Sequence, residues 1–375
     1  MHPSPDPEVL RAAARFSLPG DLRGAERYGS GHINDTYVVT ADQAGTPVRY
    51  ILQRINDRIF KDPVRLMENV ANVTGHIRSR LEAAGVPDVS RRVMTLVPAR
   101  DGASWHQDGH GHVWRCYLFV EGTRSYDVLE SPEQAYQAAR AFGSFQRLLA
   151  DYRGPQLVET IPRFHHTRSR FEALQRSIAT DRRNRAARAS AEIQATLGRE
   201  PLADSLLALQ ARGVLPERVT HNDTKLNNVL LDERTGEAIC VLDLDTVMPG
   251  LSLYDFGDLV RTGTNPVAED ALEVDRIHVQ EAMFKALARG YLEGTDGTLL
   301  PAERERLVLA GQLLTYENAI RFLADFLDGD TYYPVHREEH NLDRARTQLA
   351  LLASLEAHED RLNAYVRTLQ GGTVI

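Results

Sequence analysis

Alternating hydrophobic and polar positions near the start of the chain predict β-structure. The segments ERYGSGHINDTYVVTA and TPVRYILQRIN, both within residues 26–56, follow this pattern with a period of two around a glycine-rich turn. We therefore predict three strands in an antiparallel meander. From Asp62 to Ala84 the hydrophobic residues recur at helical spacing after an Asp-Pro pair, so we expect a helix after the third strand.

Two further strand-like runs, RRVMTLVPA and GHVWRCYLFVEG, complete a small lobe of about five strands with one inserted helix. From Ser131 onward the period changes to 3.6 residues, and a second long helical region is predicted over residues 167–212. The pattern indicates an α+β protein with two lobes. A β-rich N-terminal lobe would cover residues 1–121, and a larger, mainly helical C-terminal lobe would cover residues 122–375.

Composition narrows the class of protein. With 375 residues, 42% of them hydrophobic and 26% charged, the chain exceeds the usual size of one hydrophobic core, which agrees with two lobes. A formal net charge of -8 argues against a nucleic-acid-binding protein, because such proteins need a basic surplus. Cys116 and Cys240 lie in aliphatic runs and are expected to be buried reduced thiols. The N-terminus lacks a signal-peptide pattern and no window approaches ~18 consecutive apolar residues, so we expect a cytoplasmic protein without a membrane partner.

The chemistry of the chain is concentrated in the segment THNDTKLNNVLL, residues 220–231. Its polar part has the pattern H-x-D-x-K-x-x-N, formed by His221, Asp223, Lys225 and Asn228. This pattern fits the catalytic-loop signature H-R-D-x-x-x-x-N of protein kinases, except for the missing arginine. Phosphoryl transfer explains the residue types: an aspartate accepts the proton of the attacking hydroxyl, a lysine offsets charge on the phosphoryl group, and an asparagine oxygen holds Mg²⁺.

A second magnesium ligand is expected at the end of a nearby strand. Asp243 ends the run EAICVLDLD after a predicted hairpin turn, DERTGE, so the hairpin would bring it to the same edge as Asp223. Asp245 would point to the same side, as an additional ligand or as an outer partner. Asp255 begins an Asp-Phe-Gly triplet of the kind that binds metal in protein kinases, but a long strand does not precede it. We therefore predict that Asp255 caps the following helix.

These motifs, together with the strings GSGHINDTY, YILQRIN, CVLDLDTVMPG and ENAIRFLADFLDGDTYY, resemble the aminoglycoside phosphotransferase and choline kinase superfamily. Its members are small-molecule kinases with a bilobal protein-kinase-like fold. The longer strings resemble the N-acetylhexosamine 1-kinases of that group, which transfer the γ-phosphate of ATP to the anomeric hydroxyl of the sugar. The resemblance implies ATP as the phosphoryl donor, Mg²⁺ as the cofactor, Asp223 as the catalytic base, and Asn228 and Asp243 as the magnesium ligands.

The resemblance also implies a small sugar as the acceptor. Beside Asp223, the acceptor-binding residues that it implies are His32, in the N-terminal loop, and Arg321 and Tyr332, in the C-terminal helical region. From the residues alone, Arg321 could equally be a core residue that pairs with Glu317 through i, i+4 spacing. Tyr332 could stack against a sugar face, although packing is the commoner fate of tyrosine.

The nucleotide anchor stays open at this point. Protein-kinase-like folds place a lysine on the third strand to hold the α- and β-phosphates, but here that strand reads YILQRIN. Gln53 and Arg54 lie on opposite faces of it, so only one of them can face the nucleotide, and Glu68 in the following helix is the predicted partner. The glycine-rich turn and the hinge FVEG supply the other predicted nucleotide contacts, Gly29, Gly31, Val120 and Glu121.

Two alternative functions fit the same motifs. One is a kinase of this fold that acts on another sugar, an amino alcohol or an aminoglycoside. The other is a nucleotide-binding pseudokinase that regulates a partner, which the missing third-strand lysine favours and the complete catalytic motif opposes. The three histidines of WHQDGHGHVW lack the glutamate base or cysteine pair of a zinc site, and we predict a β-turn there instead.

Overall fold

The N-terminal lobe is built on one antiparallel sheet. A computed structural model describes residues 7–29 and 33–370. In chain order the elements of this lobe are α1 (Pro7–Ala13), β1 (Asp21–Arg27), β2 (Asp35–Gln43), β3 (Thr46–Arg54), α2 (Pro63–Ala83), α3 (Val89–Arg92), β4 (His106–Gln107) and β5 (Val113–Leu118). The five strands form one sheet in the order β1-β2-β3-β5-β4, with all neighbours antiparallel. The predicted meander of three strands is therefore confirmed.

The side chains of β3 alternate between two environments. Tyr50 and Leu52 are buried in a cluster with residues of α1 on one face of the sheet. Ile51 packs on the other face, against a cluster that includes residues of α2. Because successive side chains of a strand point to opposite faces, Gln53 lies on the α2 face and Arg54 lies on the α1 face.

The prediction of a strand over RRVMTLVPA, residues 91–99, is wrong. Its first residues belong to α3, and the following chain makes only isolated bridges, such as that between Leu96 and Tyr117. Pro98 has no backbone N–H and cannot donate to a ladder, which interrupts regular pairing in this segment. The fourth strand of the sheet is instead the two-residue β4, which pairs with β5.

The C-terminal lobe is mainly helical and contains two small sheets. In chain order its elements are β6 (Thr123–Arg124), α4 (Pro132–Leu149), α5 (Thr167–Thr180), α6 (Ser190–Leu197), α7 (Leu207–Ala211), β7 (Arg218–Thr220), β8 (Val229–Asp232), β9 (Ala238–Val241), β10 (Met248–Gly250), α8 (Ser252–Gly263), α9 (Glu281–Thr295), α10 (Pro301–Arg304), α11 (Leu307–Asp328), α12 (His340–Ala357) and α13 (Glu359–Gln370). Short 3₁₀ turns lie at Ala186–Ala189, Glu200–Asp204, Leu226–Asn228, Leu244–Thr246 and Val274–Arg276. The α+β class and the two-lobed organisation agree with the prediction.

The second predicted helical region, residues 167–212, is divided into α5, α6 and α7. The first break follows α5, where Asp181 adopts the left-handed backbone conformation with a φ of 35°. The Asp181 side chain then accepts hydrogen bonds from the backbone N–H groups of Arg185 and Ala186 and so fixes the turn. The hydrophobic period alone did not reveal this break.

Both long predicted helices begin at the predicted caps. The Asp62 side chain accepts a hydrogen bond from the backbone N–H of Arg65 at the start of α2. The Ser131 side chain accepts one from the backbone N–H of Gln134 at the start of α4. In each helix a proline occupies the first turn, where the missing N–H costs nothing. In the described part of the chain, no helix is long and apolar enough to cross a membrane.

Glycines allow α4 and α9 to approach each other closely. A Cβ atom added at Gly290 of α9 would lie 2.3 Å from the carbonyl oxygen of Tyr136 in α4. One added at Gly143 of α4 would lie 2.5 Å from the carbonyl oxygen of Tyr291. These distances are shorter than any van der Waals contact, so only glycine fits at both positions. The helix pair is therefore a fixed support for the elements that pack on α4.

The two small sheets position the loops that carry the motif residues. β7 pairs with β10, and β8 pairs with both β6 and β9. The loop of residues 221–228 joins β7 to β8, and the loop of residues 242–247 joins β9 to β10. The backbone N–H of Leu242 donates a hydrogen bond of 2.8 Å to the carbonyl oxygen of Asn228. The two loops therefore lie side by side.

Candidate active site

His221 fixes the beginning of the loop of residues 221–228. Its buried ring contacts the rings of Phe142 and Phe145 from α4 at centroid distances of 5.2 and 5.7 Å. Its Nε2 lies 2.8 Å from the carbonyl oxygen of Leu242, and its Nδ1 accepts the backbone N–H of Asp223 at 3.3 Å. Because the carbonyl can only accept, Nε2 carries the proton. The histidine thus joins both motif loops to the helical core.

The carboxylate of Asp255 holds the backbone of the same loop through hydrogen bonds. Its carboxylate accepts the backbone N–H groups of His221 at 3.0 Å and Asn222 at 2.8 Å, and it also accepts the side-chain amide of Gln146. The prediction that Asp255 caps a helix is wrong, since Asp255 lies inside the first turn of α8 and the N-cap is Leu251. A fully buried carboxylate needs such donors, and the loop backbone supplies them.

Asp223 presents an ionised carboxylate at the centre of the loop. Lys225 Nζ lies 2.9 Å from its Oδ1, and Asn228 Nδ2 donates to its Oδ2 at 3.1 Å. Burial by itself raises the pKa of Asp223, but the charge and hydrogen bond of Lys225 outweigh burial and leave that pKa below its ordinary value. The Asp223 side chain is still 19% exposed, so a ligand hydroxyl can reach it. It is suited to accept and orient a hydroxyl proton.

Asp243 lies close to Asp223 on the second loop, and the charges of Arg115 and Lys225 offset only part of the effects that raise its pKa. Its side chain makes no hydrogen bond to another described residue, and its backbone is left-handed with a φ of 55°. Burial, followed by repulsion from Asp245 and Asp223, raises the pKa of Asp243 to about 7. A left-handed backbone at a partly buried acid with a raised pKa is typical of a functional site.

The donor set at the junction of the two loops fits Mg²⁺. Asp243 offers a carboxylate, and both side-chain hydrogen bonds of Asn228 use its amide nitrogen, which directs the amide oxygen elsewhere. Over residues 7–29 and 33–370, no group of three or more His, Cys, Asp or Glu side chains forms a ready metal cage. Mg²⁺ is commonly held by one or two carboxylates together with substrate phosphates, which matches this sparse set.

Gln53 and Arg54 are separated by the sheet. Arg54 makes ion pairs with Asp35 and Glu8 on the α1 face and lies over the ring of Trp114 at 5.7 Å. Of the two predicted anchors, only Gln53 faces α2. Glu68 contacts neither of them; its side chain is 55% exposed and pairs with Arg65. The structure therefore does not bring Arg54 or Glu68 to the motif loops.

Arg115 of β5 lies directly opposite Gln53, one of the two anchors predicted on the third strand. Its side chain is 1% exposed and makes an ion pair with Asp245, and its Nε donates to Gln53 Oε1 at 2.9 Å. The second oxygen of Asp245 accepts the Asn34 side-chain amide at 2.6 Å. Sequence reasoning missed Arg115, although an arginine inside the hydrophobic run WRCYLFV was a usable signal.

Of the other predicted nucleotide contacts, Gly29, Val120 and Glu121 belong to the described part of the chain. Gly29 follows β1 with a φ of 79°, which agrees with a glycine turn, whereas Gly31 and His32 lie outside the described residues. In the hinge, the Val120 carbonyl accepts the hydroxyl of Thr123 at 2.8 Å. Glu121 is 60% exposed and forms a two-pronged ion pair with Arg49.

Arg321, in α11 of the C-terminal lobe, lies among aromatic rings. Its guanidinium carbon is 5.4, 5.9 and 5.5 Å from the ring centroids of Phe164, Tyr332 and Tyr333. It makes no hydrogen bond to another described residue. The alternative pairing with Glu317 is not observed as a hydrogen bond, because the two Glu317 oxygens accept His165 Nδ1 and the Thr167 hydroxyl instead. Arg321 therefore has donors available for a ligand.

Asp258 and Arg261 are further polar residues near this site that sequence reasoning missed. Arg261 Nε donates to Asp258 Oδ1 at 2.8 Å, and Arg261 also pairs with Glu269. Asp258 Oδ2 is buried without a hydrogen-bond partner among the described residues. After the dominant charge of Asp223, the charge of Asp258 also raises the pKa of Lys225. A buried oxygen without a partner is a natural acceptor for a ligand hydroxyl.

Solved structures of small-molecule kinases share this fold. An aminoglycoside phosphotransferase from Alicyclobacillus acidocaldarius is 14% identical, with 96% of this chain and 95% of that chain covered and a TM-score of 0.55. A choline kinase from Cryptosporidium parvum is 14% identical, with coverage of 98% and 100% and a TM-score of 0.58. The Plasmodium vivax ethanolamine kinase is 12% identical, with coverage of 88% and 82% and a TM-score of 0.54.

The family assignment rests on a match of sequence rather than of fold. The family model described as "Phosphotransferase enzyme family" (APH) matches residues 24–297, which contain both motif loops and extend over more than half of the chain. The protein therefore belongs to the phosphotransferase enzyme family.

Proposed function

We propose that the protein transfers the γ-phosphate of ATP to the anomeric hydroxyl of an N-acetylhexosamine and so forms the sugar 1-phosphate. The observation that carries this proposal is the meeting of two acids on adjacent loops. Asp223 is ionised and within reach of a ligand, and beside it lies the partly buried Asp243, whose side chain makes no hydrogen bond to another described residue and whose pKa is raised to about 7. This arrangement matches the needs of phosphoryl transfer, which requires an acceptor for the hydroxyl proton and a ligand for the metal on the triphosphate.

The residues divide the reaction between them. Asp223 orients the sugar hydroxyl and accepts its proton as the oxygen attacks the γ-phosphorus and the bond to the β-phosphate oxygen breaks. Lys225, held 2.9 Å from Asp223, offsets negative charge on the group in transfer. Asn228 and Asp243 would hold Mg²⁺, which supplies charge neutralisation on the phosphates when bound. The transfer is direct, without a phosphoenzyme.

The acceptor side of the site supports a neutral, oxygen-rich ligand. The nearby acids already have cationic partners, since Asp258 pairs with Arg261 and Glu317 with His165. Arg321, in contrast, keeps its donors available. A cationic acceptor would find each of these acids already paired with a cation, whereas the oxygen of an acetamido group or hydroxyl can accept from Arg321.

Aromatic side chains complete this support. Tyr332 is 59% exposed, and its ring lies 4.7 Å from that of Tyr333. An exposed ring next to an unpaired guanidinium offers an apolar surface for one face of a sugar and a polar group for its edge. Arg321 lies in α11 and the two tyrosines follow that helix, so all three belong to the C-terminal lobe. They can therefore contribute to acceptor recognition without taking part in nucleotide binding.

A coupled assay of ATP consumption against a panel of acceptors tests the proposal. We expect turnover with N-acetylglucosamine or N-acetylgalactosamine, and little with choline, ethanolamine or an aminoglycoside. The methyl glycoside of the active sugar, in which the anomeric oxygen is blocked, should be inert, and ³¹P NMR should show a phosphate coupled to the anomeric proton. Turnover of the methyl glycoside, or preference for a cationic acceptor, would reject the proposed acceptor. Silence with every acceptor would favour the pseudokinase.

A further inference from the structure

On the face of the N-terminal sheet that packs against α2, a buried arginine of β5 lies beside a neutral residue of the third strand. Kinase folds hold the α- and β-phosphates with a lysine on that strand, paired with a glutamate of the following helix. Here Gln53 is neutral, Arg54 is committed to Asp35 and Glu8 on the opposite face, and Glu68 is exposed. Neither member of the usual ion pair is therefore available from the usual elements.

Arg115 restores the missing charge from the neighbouring strand. Gln53 and Arg115 are direct partners in the register of β3 and β5, and Arg115 Nε donates to Gln53 Oε1. Arg115 Nη1 also lies 3.9 Å from Met67 Sδ, so α2 presents an apolar neighbour where an acid is usual. The acid comes instead from Asp245, in the 3₁₀ turn that directly follows Asp243.

The ion pair also connects the segments that surround the nucleotide site. Asp245 accepts from the Asn34 side chain, which lies just before β2, and Asn34 in turn accepts the backbone N–H of Asn56 just after β3. Because Arg115 and Asp245 are almost fully buried, at 1% and 3% exposure, solvent and salt screen their charges weakly. The charge of Arg115 thus acts over the loop that carries Asp243.

We propose that Arg115 is the phosphate-stabilising cation of the nucleotide site, in place of the third-strand lysine. Its ion pair with Asp245 holds the Arg115 side chain in position, and the positive charge of Arg115 stabilises the bound triphosphate. The inference rests on the proposed function, because it requires that ATP binds between the lobes.

Isothermal titration calorimetry of ATP, with and without Mg²⁺, tests this role independently of turnover. We expect R115M to weaken ATP binding by at least about tenfold, because the buried charge that it removes acts on the phosphates with little screening. R115K, which keeps the charge, should lie between R115M and wild type. R54M is the matched control, because Arg54 is also a strand arginine paired with an aspartate, but on the opposite face. Its ATP affinity should stay within about twofold of wild type.

A merely structural role makes a different pattern of predictions. R115M leaves Asp245 buried without its partner and is expected to lower the melting temperature. D245N keeps the charge of Arg115 and removes a negative charge beside it, so its ATP affinity measured without Mg²⁺ should not fall below that of wild type. The double variant R115M/D245N should regain much of the melting temperature but not the ATP affinity.

Recovery of ATP affinity in the double variant, or equal loss of affinity in D245N and R115M, would overturn the inference. Unchanged affinity in a folded R115M would do the same while leaving the proposed function intact. If wild-type protein binds no ATP, the proposed function fails as well, so the two failures are distinguishable.

Discussion

His165 Nδ1 lies 2.7 Å from a carboxylate oxygen of Glu317, and its Nε2 lies 3.0 Å from the carbonyl oxygen of Asn222, the residue before Asp223. Both partners accept hydrogen bonds, so both ring nitrogens carry protons and the imidazole is charged. Burial lowers the pKa of His165, but the charge of Glu317 raises it more, and the net pKa lies above its ordinary value. The pair joins α11, which carries Arg321, to the loop of residues 221–228.

The first prediction concerns the pH dependence of this pair. Because the folded-state pKa of His165 is raised, its contribution to stability is fully present below the unfolded-state pKa and is lost as the pH rises through the folded-state value. Replacing one member of a buried pair is costly, so E317Q should lower the free energy of unfolding by about 3 kcal/mol at neutral pH. Urea unfolding between about pH 6 and pH 10 should show this difference shrinking as the pH rises.

A control for that experiment is E200Q. Glu200 pairs with Arg168, but its side chain is 49% exposed, so the substitution should change stability by less than about 0.5 kcal/mol at all these pH values. A difference between wild type and E317Q that stays constant with pH would contradict the charged state of His165.

The second prediction tests the base. D223N should lower kcat by about 10²–10⁴-fold, since the amide cannot accept the hydroxyl proton, while ATP affinity is kept. D127N is a suitable control, because Asp127 accepts a hydrogen bond from Asn227 at the exposed edge of the same loop. Its kcat should stay within about twofold of wild type. Single-turnover kinetics with both variants would separate chemistry from product release, and turnover retained by D223N would remove Asp223 from its role.

The third prediction tests the acceptor side. R321M should raise the KM for the acceptor by about 10–100-fold, the cost of losing charged hydrogen bonds, and leave the KM for ATP unchanged. R344M offers a comparison, because Arg344 also lies over an aromatic ring, at 5.6 Å from Phe322, but donates to Pro334 and Asn341. Steady-state kinetics should show little change for R344M. Equal effects of the two substitutions would point to packing rather than recognition.

The fourth prediction concerns the close helix pair. G290A should lower the free energy of unfolding by about 3 kcal/mol, because its Cβ would collide with the carbonyl of Tyr136. G75A, in the interior of α2 with nothing within 4 Å of the added Cβ, should raise it by about 0.5–1 kcal/mol. Chemical unfolding of both variants gives the comparison, and a neutral G290A would show that the helices can separate without cost.

Local signals in the chain were enough to predict the frame of the molecule. The caps at Asp62 and Ser131 and the alternation around β2 and β3 depend on neighbours in sequence, and the structure bears them out. The strand-like run at residues 91–99 misled, because its apolar residues are buried in an irregular segment that packs without a regular ladder. Periodicity reports burial, and burial does not require a strand.

The polar contacts of the site were harder to predict, because they depend on residues far apart in the chain. Arg115 and Asp245 are 130 positions apart, and Asp255 meets the backbone of His221 across 34 positions. Spacing and composition carry no signal for such pairs. Glu68 was therefore predicted to pair with Gln53 or Arg54, whereas in the structure it pairs with Arg65. The motif in residues 221–228 could be recognised from the sequence because its members lie close together in one loop.

The chain between the lobes is tethered on both sides of a very short pivot. The backbone N–H of Phe119 donates to the carbonyl of Arg49 in the N-terminal sheet. The carbonyl of Gly122 accepts the backbone N–H of Glu233, in the turn between β8 and β9. Only Val120 and Glu121 lie between these tethers. Any rotation of one lobe against the other must therefore be absorbed, along this connection, by the backbone torsion angles of Phe119 to Gly122, and this stretch includes the two residues whose backbone we predict to face an adenine ring. Opening of the cleft and docking of the base would compete for one stretch of peptide.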